Sequence, residues 1–238
     1  MSQSITAKET LTFEEYRFYQ PDSDLKYELF RGHLVPMPIP TALHSSICQY
    51  LVYKFQHHFA TNNLDLIAKT VIGVRTEVDT SRIPDLLVCS SSLWSKILNR
   101  PGSGIFDLEE IPNLVVEVTS ENWREDYIRK RAEYALINIP EYWIVDPKKE
   151  QIWVLNHPEG EEGYDRHSYT RGENFPSQQF PELILSVDTV LAPPIVENLL
   201  REEQMQRQQL QQQVEEEREK SRRLEAKLRE MGIDPDTI

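Results

Sequence analysis

Residues Ile111–Ser120 read IPNLVVEVTS, and this stretch decides the fold class. Leu114, Val115, Val116 and Val118 form an aliphatic, largely β-branched run, the pattern of a strand covered on both faces. Glu117 stands inside it, where an uncompensated charge costs several kcal/mol, of order, even after relaxation. A buried central strand implies a layered α/β domain, and the carboxylate implies a compensating cation.

Outward from that strand the pattern alternates. Upstream, Lys69–Val78 and Arg82–Cys89 read as strands; downstream, Tyr142–Asp146 and Gln151–Leu155 do. A helix is expected from about Arg124 to Ile137, with Asn138 as a left-handed C-terminal cap and Pro140 barring continuation. Ala42–Asn63 repeats Ile47, Leu51, Phe55 and Phe59 every four residues, a core helix. Thr12 with Glu15 three residues on marks a short helix start, and KYELFRGHLVPM reads as a hairpin turning at Arg31-Gly32. The sum is a mixed α/β domain built on a central sheet.

Composition shifts after LAPPIVENLL, Leu191–Leu200, so the expected division is residues 1–195 and 196–238. Alternate steps of three and four align Val196, Leu200, Glu203, Arg207, Leu210, Val214, Glu217, Ser221, Leu224, Leu228 and Met231. Seven of these eleven are apolar, the seam of a coiled coil with a polar middle. Pairing into a homodimer is the expectation, with a solvated single helix as the alternative.

The net charge of −13 argues against a general nucleic-acid binder, which needs a basic stripe. From Glu197 onward there are 11 acids and 8 bases, so a net of −10 belongs to residues 1–196. Any DNA contact is therefore local, metal-assisted or directed by another element. The two cysteines, Cys48 and Cys89, are isolated, which suits a reduced, cytoplasmic protein. MSQSITAKET lacks the pattern of a leader. No apolar run approaches the roughly 18 residues of a membrane span.

Asp85 follows a proline at the head of Leu86-Leu87-Val88. Two strands each bringing one carboxylate to a common point would form an oxygen site for a hard cation such as Mg²⁺. On the residues alone, Asp85 could equally cap a turn or pair with Arg82, Glu117 could pair with a buried Arg, and Lys130 could be a solvated helix residue. His44, His57 and His58 fit no ligand spacing and read as helix surface or core residues. Asp146 reads as part of a turn with Pro147.

The ordered set IPDLLV, PNLVVEVTS and DYIRKRAEYALINIPEYWIVDP, preceded by YELFRGHLVPMP and His44, resembles the Uma-two family of predicted restriction endonucleases, within the PD-(D/E)xK nuclease superfamily. The resemblance spans about Thr12 to Leu191, and a tail ending GIDPD is a common appendage there. It implies a restriction-endonuclease-like fold and a DNA endonuclease using Mg²⁺, with Mn²⁺ as a substitute. It implies Asp85 and Glu117 as metal ligands, Lys130 as the catalytic lysine and Glu28 as a further acidic site residue. The superfamily's lysine normally lies two residues after the glutamate, where this chain has Thr119; the resemblance moves it to Lys130. Helical periodicity turns Tyr127, Ile128, Tyr134 and Ala135 to the core, sets Lys130 on the flank and favours Arg131 for the centre. The competing readings are an interaction protein with a silent nuclease fold acting through its coiled tail, and a hydrolase of small phosphoesters.

Overall fold

A computed structural model describes residues 10–21 and 25–231. The segment tested for a leader and the GIDPD ending lie outside them. The chain forms two compact units, Met1–Pro193 and Pro194–Ile238.

The first unit opens with α1 (Phe13–Arg17), held by a capping box between Thr12 and Glu15. β1 (Tyr27–Phe30) and β2 (His33–Pro36) form the expected hairpin. Arg31 and Gly32 both take positive φ, 49° and 81°, as a two-residue turn matched to strand twist requires. α2 (Ala42–Thr61) buries Ile47, Leu51, Phe55 and Phe59.

The run read as one strand over Lys69–Val78 is two. β3 (Leu66–Lys69) ends before Val71, whose φ is 60°, and β4 (Gly73–Glu77) belongs to another sheet. A β-branched residue at positive φ is a backbone outlier that composition does not announce. Gly73 lets the neighbouring strand close in, since a Cβ there would lie 2.9 Å from Ile105 Cγ1. The run Arg82–Cys89 divides likewise: β5 (Thr80–Arg82) and β6 (Leu86–Ser90) flank Pro84, which cannot donate to a ladder.

Then come α3 (Ser91–Leu98), capped by Ser90, β7 (Ile105–Phe106) and β8 (Leu114–Val118), buried throughout. A π-helix spans Glu125–Lys130 and continues as α4 (Arg131–Leu136). Asn138 takes φ 58°, and the Ile139 N–H bonds to the Tyr134 carbonyl at 3.1 Å, so the helix ends on the expected left-handed cap. β9 (Glu141–Asp146) is buried throughout, and β10 (Gln151–Asn156), β11 (Asp165–Thr170), β12 (Asn174–Pro176), β13 (Ile184–Ser186) and α5 (Val187–Leu191) complete the unit.

The principal sheet runs β11-β10-β9-β8-β6-β3, with β8 and β9 parallel and the other pairs antiparallel. Its β8–β9 crossover is the π-helix with α4. Tyr127, Tyr134, Val115, Tyr142 and Ile144 share one apolar cluster on that side. Phe55 of α2 packs on Trp143 with ring centroids 5.2 Å apart. A second sheet, β2-β1-β5-β4-β7, was not expected from the sequence. It brings β1 and β5, with Glu28 and Arg82, to the crossover.

The second unit holds α6 (Val196–Glu230). No helix among the described residues is long and apolar enough to cross a membrane.

Candidate active site

β6 and β8 set two of the acidic residues. Leu86 pairs with Val116, so Asp85, one residue earlier, stands level with Glu117 where the ladder ends. Asp85 Oδ2 accepts the Val118 N–H at 2.7 Å, and Oδ1 lies 3.2 Å from His44 Nε2. Asp85 therefore does not pair with Arg82.

Glu117 is 3% exposed. Its Oε1 accepts the Tyr134 hydroxyl at 2.8 Å, and Oε2 lies 3.0 Å from Lys130 Nζ. The buried cation beside it is thus the lysine and not an arginine. Glu28 on β1 lies 3.3 Å from the same ammonium, and Asp126 lies 3.6 Å away. Asp85 reaches Lys130 only as a longer-range charge.

The π-helix explains why periodicity favoured Arg131. Its wider turn puts Asp126, Tyr127 and Lys130 inside together and leaves Ile128 56% exposed, against the sequence reading of Ile128 as a core residue. Where the resemblance expects a lysine two residues after Glu117 the chain has none, and the crossover brings the Lys130 ammonium to the Glu117 carboxylate. Thr119, at that position, continues the ladder through its N–H to Val145 O.

Sequence reasoning missed the anchor of this group. Arg82 is 2% exposed and donates twice to Glu133, at 2.6 Å each, and once to Glu28 at 3.1 Å. The Ile83 N–H also bonds to Glu28, at 3.0 Å. Arg82 thereby fixes the carboxylate that in turn holds Lys130, a bidentate geometry that suits arginine. Thr80-Ser81-Arg82 is polar in sequence, so nothing local announced that this strand is buried throughout.

Counting charges, Glu28, Asp85, Glu117, Glu125, Asp126 and Glu133 face Lys130 and Arg82, with Arg129 pairing with Glu125 as well. The excess shifts the proton affinities of the buried groups. Burial, with the nearby Asp85, Asp126 and Glu28 carboxylates, pushes Glu117 well above the usual carboxylate range, although Lys130 opposes this. Burial and the Asp85 and Glu28 charges lift Asp126 to about 6. Burial disfavours the Lys130 ammonium, but Glu117, Glu28 and Asp126 overcome it and hold its pKa well above normal. Glu28 goes the other way: burial is outweighed by Lys130, Arg82 and the Ile83 N–H, and its pKa falls. This imbalance fits a divalent cation beside Asp85 and Glu117, which offer oxygen donors of the kind Mg²⁺ takes.

The imbalance sets a pH dependence. Glu117 and Asp126 bind protons more readily folded than unfolded, so their contribution is present at low pH and lost as pH rises through about 6 for Asp126 and higher for Glu117. His44, raised by its hydrogen bond to Asp85, acts in the same sense. Glu28, held low, loses its contribution only below the ordinary carboxylate range. Metal-free protein therefore melts at a higher temperature at about pH 5.5 than at about pH 7.5. Differential scanning calorimetry in chelator checks this, and an unchanged or lower melting temperature at the acidic pH contradicts it.

His44 did not stay a bystander. It lies on the face of α2 that meets Asp85, with Cys48 one turn on, and the ligand atoms of His44, Cys48 and Asp85 all lie within 4.8 Å of one another. The i,i+4 spacing was the available signal. His57 and His58 pack against Tyr53 and Phe180 instead. Asp146 Oδ1 accepts the Lys148 and Lys149 N–H groups, an Asx-type turn as expected.

The mixed sheet flanked by helices is a restriction-endonuclease-like α/β fold, and its adjacent strands β6 and β8 bring Asp85 and Glu117 level with each other. The chain belongs to the Uma2 family, described as "Putative restriction endonuclease", whose profile matches residues 13–188. Among solved structures, the chain is similar to one titled a "putative nuclease belonging to DUF820" from Anabaena variabilis. The TM-score is 0.61 at 20% identity, over 76% of this chain and 98% of that one, a likeness of fold. No curated protein matches the sequence.

Proposed function

We propose that the protein is a divalent-metal-dependent endonuclease that hydrolyses DNA phosphodiester bonds at the Asp85–Glu117–Lys130 centre. The observation that carries this reading is the Lys130 ammonium, buried and 3.0 Å from Glu117 among carboxylates that outnumber the cations. Asp85 and Glu117 would hold Mg²⁺ or Mn²⁺. A bound ion supplies Lewis acidity toward the phosphoryl oxygens and lowers the pKa of a coordinated water.

This chain's own residues do the rest. Lys130 places fixed positive charge where a phosphate develops negative charge and can orient the attacking water. Glu28 and Asp126 hold the ammonium on the Glu117 side, and Arg82 holds Glu28. Tyr134 fixes the other Glu117 oxygen. Membership of a nuclease family and the metal-ready charge imbalance support this reading over hydrolysis of small phosphoesters.

The test is cleavage of supercoiled plasmid with Mg²⁺ or Mn²⁺, comparing wild type with Glu117→Gln. Nicked and linear product from wild type is expected. No product with any divalent ion, together with no metal-induced shift in melting, would leave the nuclease fold as a silent scaffold.

We further propose that α6 pairs with the same helix of a second copy, as its seam of exposed Leu200, Leu210, Val214 and Leu224 invites. A chain ending at Pro194 should then run at lower mass in sedimentation while the remaining domain melts at an unchanged temperature. Full-length protein that is monomeric at micromolar concentration defeats the proposal.

A further inference from the structure

The cluster on α2 has a chemistry that the Asp85–Glu117 centre does not need. His44 Nδ1 lies 3.6 Å from Cys48 Sγ, and its Nε2 lies 3.2 Å from Asp85 Oδ1. Three donors of three kinds, an imidazole nitrogen, a sulfur and a carboxylate oxygen, converge within 4.8 Å. They come from two elements fixed independently, since α2 is pinned by Ile47 and Leu51 in the core and Asp85 by the Val118 N–H.

A relay in which His44 activates Cys48 as a nucleophile would also use these contacts, but the electrostatics oppose it. Asp85 closes the cluster with the thiol, and Glu117 stands level with Asp85 on the next strand, so carboxylates surround the sulfur. Reactive thiols need the opposite, a positive surrounding. A cation is the ligand for which that surrounding is right. It relieves a region already short of positive charge, and it displaces the thiol proton on binding.

We propose that His44, Cys48 and Asp85 form a binding site for a borderline transition-metal ion of the Zn²⁺ or Co²⁺ class. Sulfur and imidazole donors favour such ions, whereas Mg²⁺ takes oxygen ligands. Three protein ligands leave a fourth position open to water or a substrate oxygen. The site shares Asp85 with the nuclease reading and deepens it by placing a second kind of metal beside the Glu117–Lys130 pair.

The test is titration of metal-free, full-length protein with Co²⁺, read by absorption. One equivalent should give a near-ultraviolet sulfur-to-cobalt charge-transfer band that Zn²⁺ erases and Mg²⁺ leaves. Cys48→Ser should lose that band, and His44→Gln should weaken Co²⁺ binding. Glu117→Gln should keep the band. Circular dichroism of each variant establishes that it is folded, and Cys48→Ala serves if the serine variant is not. Co²⁺ binding without the band, a band that survives Cys48→Ser, or no Co²⁺ binding overturns the proposal. The two readings fail separately. Plasmid cleavage with Mg²⁺ but no cobalt–sulfur band removes this site alone, whereas a band without cleavage under any metal removes the nuclease reading and leaves the site standing.

Discussion

Lys130→Met lowers the stability of the metal-free protein by about 3–5 kcal/mol at neutral pH, the cost of leaving a buried partner charge uncompensated. The methionine keeps the apolar stem but removes the ammonium that Glu117, Glu28 and Asp126 share at 3.0, 3.3 and 3.6 Å. The loss shrinks as pH falls, because the stranded carboxylates take up protons. It also shrinks when Mg²⁺ is added, because a cation that binds the folded state stabilises it by mass action. Plasmid cleavage disappears under every condition. Urea unfolding at two pH values, with and without Mg²⁺, gives all of these numbers. A change below about 1 kcal/mol at neutral pH, the range of solvent-exposed pairs, would show that Lys130 is not the counter-ion of this cluster.

Glu117→Gln acts in the opposite sense on the same contacts. The carboxylate it removes is disfavoured by burial and by three neighbouring acids, and Lys130 keeps Glu28 and Asp126. The amide oxygen can still accept from Lys130, while the amide NH2 takes the other position and donates to the Tyr134 hydroxyl, which accepts in place of donating. Metal-free stability therefore stays constant or rises, while the stabilisation conferred by Mg²⁺ largely vanishes and cleavage falls at least about 100-fold. Thermal melting with and without Mg²⁺, alongside the plasmid assay, reads both effects. A metal-free loss of about 3 kcal/mol or more would make Glu117 an indispensable structural partner of Lys130 in place of a metal ligand.

Elements whose cause is local were legible from local signals. Thr12 with Glu15, the Arg31-Gly32 turn, the four-residue repeat of α2 and Asn138 at the end of α4 each satisfy their own backbone, and each is found as expected. What failed needed tertiary information. Mixed runs rich in β-branched residues hid the breaks at Val71 and Pro84, because composition alone does not show that the residues on either side join different sheets. The edge strands β11–β13 carry mostly exposed or mixed positions and gave no period to read. Within the site, Glu117 was legible because a charge interrupts an apolar strand. Arg82 and Glu133 were not, because their mutual pairing is visible only once β5 meets α4.

The π-turn over Glu125–Lys130 is equivalent to one residue inserted into an α-helix. Removing a residue at an exposed position such as Ile128 would let the segment relax to ordinary helix, because the wider turn absorbs one extra residue while keeping the flanking turns in phase. Asp126 and Lys130 would then stand three residues apart and still share one face, with the surplus residue between them gone. The segment should accordingly accept varied side chains at Ile128 and Arg129 and the loss of one residue there, so that among related sequences single gaps gather in a stretch whose surface letters are free to drift.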